Sequence, residues 1–322
     1  MPHINKLKSI LLQLLLLSLL LVHPTGLSEA KKNQQPIRVL INDWTSQKVL
    51  ATITGSIFQS MGYQVNYVFS TSNEQWGALS RGIDHVQIEV WQGTMAQMFD
   101  RAVSSGQVVD AGTHQATTRE EWWYPLYVEQ LCPGLPDWRA LKKCAHLFAL
   151  KEGAPGRYIA GPWEKPEAAR IRALELNFKA DPVSKADDLW TELKAAQQKH
   201  QAIVLFNWTP NWVEAVYEGK FIEFPPYNEA CESDPSWGIN PQFHHDCGNP
   251  KNGWLKKAAW AGMATKWSCA YQTLQQISFD NKTIAQLASW VDFNKMSYQH
   301  AATKWLQQNR PIWSQWVPQS CR

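Results

Sequence analysis

The sequence lacks the short motifs that mark common enzyme chemistries. It has no His-Glu-x-x-His pair for zinc, no Gly-x-Ser-x-Gly elbow for a nucleophilic serine, and no glycine loop to cradle phosphate. Charge of one sign is also scarce, since 31 Lys and Arg stand against 28 Asp and Glu for a net charge of +3. No basic run interleaves with aromatic residues, so nucleic acid and anionic membrane surfaces are not favoured partners. No internal repeat or low-complexity linker divides the chain. Glu89, Glu164, Asp246, His244 and His245 could be assembled into an acid–base or metal site. Sets of that kind can be picked from any chain of this length, so no catalytic residue, resident metal or cofactor is expected.

What is present begins with a processing segment. Lys6 and Lys8 precede the apolar run from Ile10 to Val22, and Ser28-Glu29-Ala30 offers small residues for cleavage. Residues 1–30 are therefore expected to be removed. Pro24 and Gly26 favour cleavage over anchoring, and the absence of a cysteine at the cleavage point argues against a lipid anchor. The leader takes two lysines and one glutamate with it, leaving a net charge of +2. About 290 residues remain, enough for two packed lobes.

All six cysteines, Cys132, Cys144, Cys231, Cys247, Cys269 and Cys321, fall in the mature chain. In an exported protein an even count points to disulfides. The economical pairing is Cys132 with Cys144, Cys231 with Cys247, and Cys269 with Cys321. Cys231, His244, His245 and Cys247 also have zinc-ligand chemistry, but their spacing matches no closed zinc motif.

Along the chain, Ile37 to Ile41 is a strand candidate. Asp43-Trp44-Thr45-Ser46 follows as a turn able to cap a helix through Val49, Ile53 and Ile57, which Gly62 stops. Tyr63 to Phe69 alternates as a strand, Asn73 to Leu79 has helical character, and Val86 to Val90 is a strand ending at Trp91. Further on, Ala145 to Leu150 and Ile203 to Phe206 are expected strands, with helices from Pro166 to Asn177 and Lys185 to His200. Phe224 to Gly253 is a long loop rich in Pro, Gly, Asn and Cys, and helices return at Ile284 to Val291 and His300 to Asn309. This is an α/β pattern with an open sheet, whose ligand sites lie beyond the carboxyl ends of strands.

Eighteen tryptophans in 322 residues is the most informative feature. Trp44, Trp91 and Trp208 stand at strand ends, and Trp163 lies in the turn Gly161-Pro162-Trp163-Glu164. Indole faces enclosing a cavity bind a methylated ammonium, because the ring quadrupole attracts a cation that offers no hydrogen-bond donor. Trp305, Trp313 and Trp316, and also Trp122, Trp123 and Trp138, are better explained as packing residues. Glu89 and Glu164, close in sequence to cage candidates, could add negative charge to the site. A carbohydrate-binding module is the rival reading, because aromatic platforms also stack on sugars. Gln92-Gly93 after Trp91 and Thr209-Pro210 after Trp208 suit a tight cage better than a long groove.

The segment Asn207-Trp208-Thr209-Pro210-Asn211-Trp212 resembles the Trp-Thr-Pro-x-Trp element of the substrate-binding proteins of glycine betaine, proline betaine and choline ABC transporters. The Trp44-Thr45 turn, Trp91 before a helical run, and the ending from Trp305 through Asn309 to Trp316 strengthen the likeness, which includes the branch of trimethylamine N-oxide binders. The resemblance implies a periplasmic-binding-protein fold of two lobes joined by two crossovers, divided as residues 31–118 with 256–322 and residues 119–255. It implies a periplasmic monomer that carries a quaternary ammonium or methylamine solute to a membrane ABC permease. Glycine betaine or trimethylamine N-oxide is preferred, with choline or carnitine behind. The resemblance places the family's cage tryptophans on Trp91 and Trp208 and the choline-type first-strand tryptophan on Trp44, while Tyr158 and Trp163 compete for the remaining wall.

Overall fold

The computed structural model describes residues 35–322 apart from residue 164. The expected leader and Glu164 lie outside the described residues. Nine strands form one mixed sheet in the order β2-β1-β3-β9-β4-β7-β5-β6, with β8 paired to β4. They are β1 (Ile37–Ile41), β2 (Val65–Phe69), β3 (Val86–Trp91), β4 (Val108–Pro125), β5 (Gly156–Ala160), β6 (Phe178–Pro182), β7 (Val204–Thr209), β8 (Gly219–Phe221) and β9 (Gly253–Trp260).

The sheet has two halves, and β4 belongs to both. From Val108 to Thr118 it pairs antiparallel with β9, and from Arg119 to Trp123 it pairs antiparallel with β7. In the first half β1 lies parallel to β2 and β3, and β3 runs antiparallel to β9. In the second half β5 lies parallel to β6 and β7. The chain thus passes between the halves twice, once inside β4 and once in the loop ahead of β9.

Parallel neighbours need helical crossovers, and the apolar strands supply faces for them to cover. The helices that matter to the site are α1 (Thr45–Ser60), α2 (Gln75–Ser80), α3 (Gln92–Ser104), α4 (Glu167–Ala173) and α5 (Ala186–Lys199). Val49, Ile53 and Ile57 of α1 are wholly buried, as the helical spacing requires. Gly62, with φ at 87°, ends that stretch in a conformation that favours glycine. Near the C-terminus, Asn281–Asp292 and Tyr298–Gln308 are helical, and Trp305 stacks on Trp316 against Phe279.

Two expectations about local structure are corrected, and one long strand has no counterpart among them. The segment from Ala145 to Leu150 is not a strand but a 3-10 turn, Ala145–Phe148, continuing the helix Arg139–Cys144. A six-residue apolar run does not carry enough periodicity to separate the two. The 18 residues of β4 gave no strand signal, because burial alternates through Thr- and Gly-containing residues and then turns continuous from Glu120. The start of α1 has no side-chain cap: Trp44 occupies the N-cap position, while Thr45 and Ser46 direct their hydroxyls to Asp292 and Glu89.

The cysteines are joined as Cys132–Cys144, Cys231–Cys247 and Cys269–Cys321, so Cys231 and Cys247 hold no free thiolates. The first two pairs close loops around the second half-sheet, and the third ties the C-terminus to the helix Ser268–Gln276. His244 and His245 lie in the loop stapled by Cys231–Cys247, and Asp246 beside them accepts the backbone N–H of Asn240 at 2.8 Å.

Candidate ligand cage

β1 and β3 are parallel neighbours, so their carboxyl ends emerge on the same side of the sheet. Trp44 follows β1, and Trp91 is the last residue of β3. β5 and β7 do the same in the second half, followed by Trp163 and ending in Phe206-Asn207-Trp208-Thr209. Where these ends face one another, Trp44, Trp91, Trp163, Phe206 and Trp208 line a common pocket, partly continuous with solvent. Thr94, Met95 and Glu120 complete its lining.

The second-half rings hold each other. Trp163 meets Trp208 edge-on at 5.3 Å and Phe206 at 5.6 Å, and Trp190 of α5 backs Trp208 at 5.3 Å. Gly161 is required by this arrangement, since a β-carbon there would collide with the Trp163 ring. Contacts also cross between the halves. Trp44 meets Trp163 edge-on at 6.1 Å, the Trp163 indole donates to Asp43 at 3.2 Å, and the Lys165 ammonium donates to the Gly93 carbonyl at 3.4 Å.

The first-half rings are held differently. Glu89 is wholly buried, and its Oε2 accepts from Trp44 Nε1 at 2.6 Å, Trp91 Nε1 at 3.0 Å and Ser46 Oγ at 3.0 Å. Burial raises its pKa from 4.5 to about 7, and the three hydrogen bonds oppose that shift. Glu89 therefore stands behind the indoles and not at the cavity wall. Tyr158 is also away from the cavity, wholly buried and stacked on Trp122 at 4.0 Å in the core of the second half. Of the two candidates for the remaining wall, Trp163 lines the cavity.

Glu120 was not visible as a site residue in the sequence, because it lies in the strand the periodicity missed. Its carboxylate is 4% exposed and sits against the first turn of α3, where the helix dipole favours negative charge. Its Oε1 accepts from Thr94 and lies 3.5 Å from Lys165 Nζ, whereas Oε2 is buried without a partner. A β-carbon on Gly93 would lie 2.6 Å from that Oε2, so glycine is what lets helix and carboxylate approach. Lys165 also lies 4.8 Å above the Phe206 ring. The lining thus brings four indoles and one phenyl ring together with one carboxylate.

Residues 35–308 match the model of the substrate binding domain of ABC-type glycine betaine transport systems. The chain is 37% identical over 301 residues to the trimethylamine N-oxide-binding protein of Pelagibacter ubique (strain HTCC1062), covering 90% of this chain and 93% of that one. In fold it is similar to the glycine betaine, L-proline-binding protein of Borrelia burgdorferi, at TM-score 0.71 and 16% identity, covering 89% of this chain and 98% of that one. It is also similar to a choline-binding protein in complex with choline, at TM-score 0.68 and 16% identity, covering 87% and 92%.

Proposed function

The chain belongs to the family of substrate binding domains of ABC-type glycine betaine transport systems, and from that premise we propose that it binds trimethylamine N-oxide in the tryptophan cage. Membership makes it a solute-binding component and not an enzyme, and sets the carbohydrate reading aside. Among the described residues no helix is long and apolar enough to cross a membrane. We place the protein in the periplasm, as a monomer that delivers its solute to a membrane permease.

The observation that carries the ligand reading is Glu120. Methyl groups on a positive nitrogen fill a box of indoles equally well in all the candidate solutes. The polar ends differ. Glycine betaine and carnitine carry a carboxylate that needs donors, and the carboxylate of Glu120 in the lining opposes it. An amine oxide keeps its negative oxygen bonded directly to the positive nitrogen, so it presents less net negative charge to Glu120 than a carboxylate held apart from its nitrogen does. Choline is the second reading, because its hydroxyl can donate to a carboxylate such as that of Glu120. The 37% identical relative, a trimethylamine N-oxide-binding protein, supports the amine oxide over choline.

The two sheet halves are proposed as the lobes of a jaw, residues 35–118 with 253–322 and residues 119–252. The exchange of partners in β4 after Thr118 supports the first division. The start of β9 at Gly253 supports the second, three residues ahead of the sequence-based boundary at 255/256.

Calorimetric titration tests this function. Trimethylamine N-oxide is expected to bind tightest, choline more weakly and glycine betaine weakest. Tighter binding of glycine betaine than of the amine oxide would overturn the ligand assignment, and no heat with any of them would overturn the cage itself.

A further inference from the structure

We propose that Glu89 is a positioning residue, which fixes the Trp44 and Trp91 indoles in their binding orientation before any solute enters. The choice of solute rests on the function proposed above; the geometry does not.

Glu89 and Trp91 are two residues apart on β3, so their side chains project to the same face of the strand. Trp44 and Ser46 come from the turn after the neighbouring strand β1 and the start of α1. Three donors thus converge on one oxygen, and all of them belong to the first half-sheet, so the arrangement does not depend on closure against the second half. The anchor is itself anchored. The Glu89 amide donates to Gln87 Oε1 at 3.0 Å, and Gln87 is tied to Asn42, Gln47 and Gln75, all wholly buried.

Satisfying an indole does not by itself call for a buried carboxylate. Trp76, Trp123, Trp212 and Trp267 are buried with indole N–H groups that have no partner. Packing alone holds those rings. At the two first-half cage rings the chain instead places a carboxylate where burial opposes its charge. An N–H bonded to a fixed oxygen sets the angle of its ring plane, and a negative acceptor polarises the bond so that electron density moves into the ring. Both effects strengthen the attraction of the indole face for a cation.

The experiment uses ligand-free, tryptophan-labelled protein and follows the indole N–H resonances by nitrogen–proton correlation, with Trp44→Phe and Trp91→Phe for assignment. Glu89→Gln is expected to move those two signals upfield more than any of the other sixteen indoles. At a pH above 7, where Glu89 is ionised, the same variant is expected to weaken trimethylamine N-oxide binding by about tenfold, and Glu89→Leu by about a hundredfold, the charge-assisted bonds being lost in the first and all bonding in the second. Glu89→Gln preserves shape and one acceptor, so it decides the matter if the leucine variant fails to fold. If neither indole signal moves, or if affinity stays within twofold while only the melting temperature falls, Glu89 is a structural residue and the proposal is overturned. If the wild type binds no solute, the function proposed above fails, while the indole signals still decide whether Glu89 holds the rings.

Discussion

On the β1–β3 side of the cage, two indoles end in hydrogen bonds to one carboxylate; on the β5–β7 side, Trp163, Phe206 and Trp208 lean on one another and on Trp190. A hydrogen bond is directional and local, so each first-half ring is held whether or not its companion is present. Ring packing is collective, since each ring in the second half is part of the support of the next. The same binding surface is therefore rigid for two different reasons, and substitutions should separate them.

The largest expected effect tests this difference directly. A desolvated cation–aromatic contact contributes about 2 kcal/mol, so Trp44→Ala and Trp91→Ala should each weaken trimethylamine N-oxide binding by about thirtyfold. Trp208→Ala removes its own contact and a support of Trp163, adding roughly 0.5–1.5 kcal/mol and bringing the loss to about a hundredfold. The pairs should then behave differently. Trp44→Ala and Trp91→Ala should show the weaker coupling, carried only by the Glu89 oxygen they share, whereas Trp163→Ala adds little once Trp208 is gone. Displacement titrations on the four single and two double variants measure both couplings. Strong coupling on the Glu89 side and additivity on the other would reverse the comparison.

A smaller effect on affinity is expected one layer back. Trp212 belongs to the same Trp-Thr-Pro-Asn-Trp element as Trp208, yet it does not line the cavity. It packs on Trp190 at 5.5 Å and Tyr217 at 6.2 Å, with its indole N–H unpartnered. Trp212→Ala should cost about 3–5 kcal/mol of stability, as for a large buried ring. Affinity should fall by only about threefold, transmitted through Trp190 to Trp208. Denaturant unfolding and calorimetry on one sample give both numbers. A loss of affinity matching that of Trp208→Ala, with stability unchanged, would put Trp212 in the cage.

How much of this was legible in the sequence follows from the same physics. β1, β3 and β7 are short apolar strands with a tryptophan at or just beyond the carboxyl end, and strand ends are where an open α/β sheet presents its site, so Trp44, Trp91 and Trp208 stood out. Glu120 did not, because β4 exchanges partners midway and its exposed and buried faces follow no single period. Glu89 stood out as a charge beside a cage residue, but whether it faces the cavity or backs the rings depends on which face of β3 is covered, and that is a tertiary fact. Tyr158 and Trp163 could not be separated for a related reason. β5 pleats Tyr158 toward Trp122, while the turn at Gly161 carries Trp163 back over Phe206 and Trp208.

The smallest expected effect concerns charge behind the first-half rings. Glu89 has its pKa raised from 4.5 to about 7, chiefly by burial, with the Trp44, Trp91 and Ser46 hydrogen bonds opposing the shift and no charged neighbour contributing. For an acid raised on folding, the native state binds the proton more tightly than the unfolded chain. The stability it contributes is therefore fully present below pH 4.5 and is lost as pH rises through about 7. Glu89→Gln mimics the protonated form and cannot ionise. Other groups also titrate over this range, among them Asp292, raised to about 6 mainly by burial, but they are common to both proteins and cancel in the difference. The melting temperature of Glu89→Gln minus that of the wild type should therefore rise by a few degrees between pH 4.5 and about 7, then level off. The second half offers the control, because Trp190→Phe removes no titratable group and its difference from wild type should stay flat with pH. A flat difference for Glu89→Gln as well would mean that Glu89 is already ionised at low pH, and the two sides of the cage would then differ in geometry but not in the electrostatic cost of holding it.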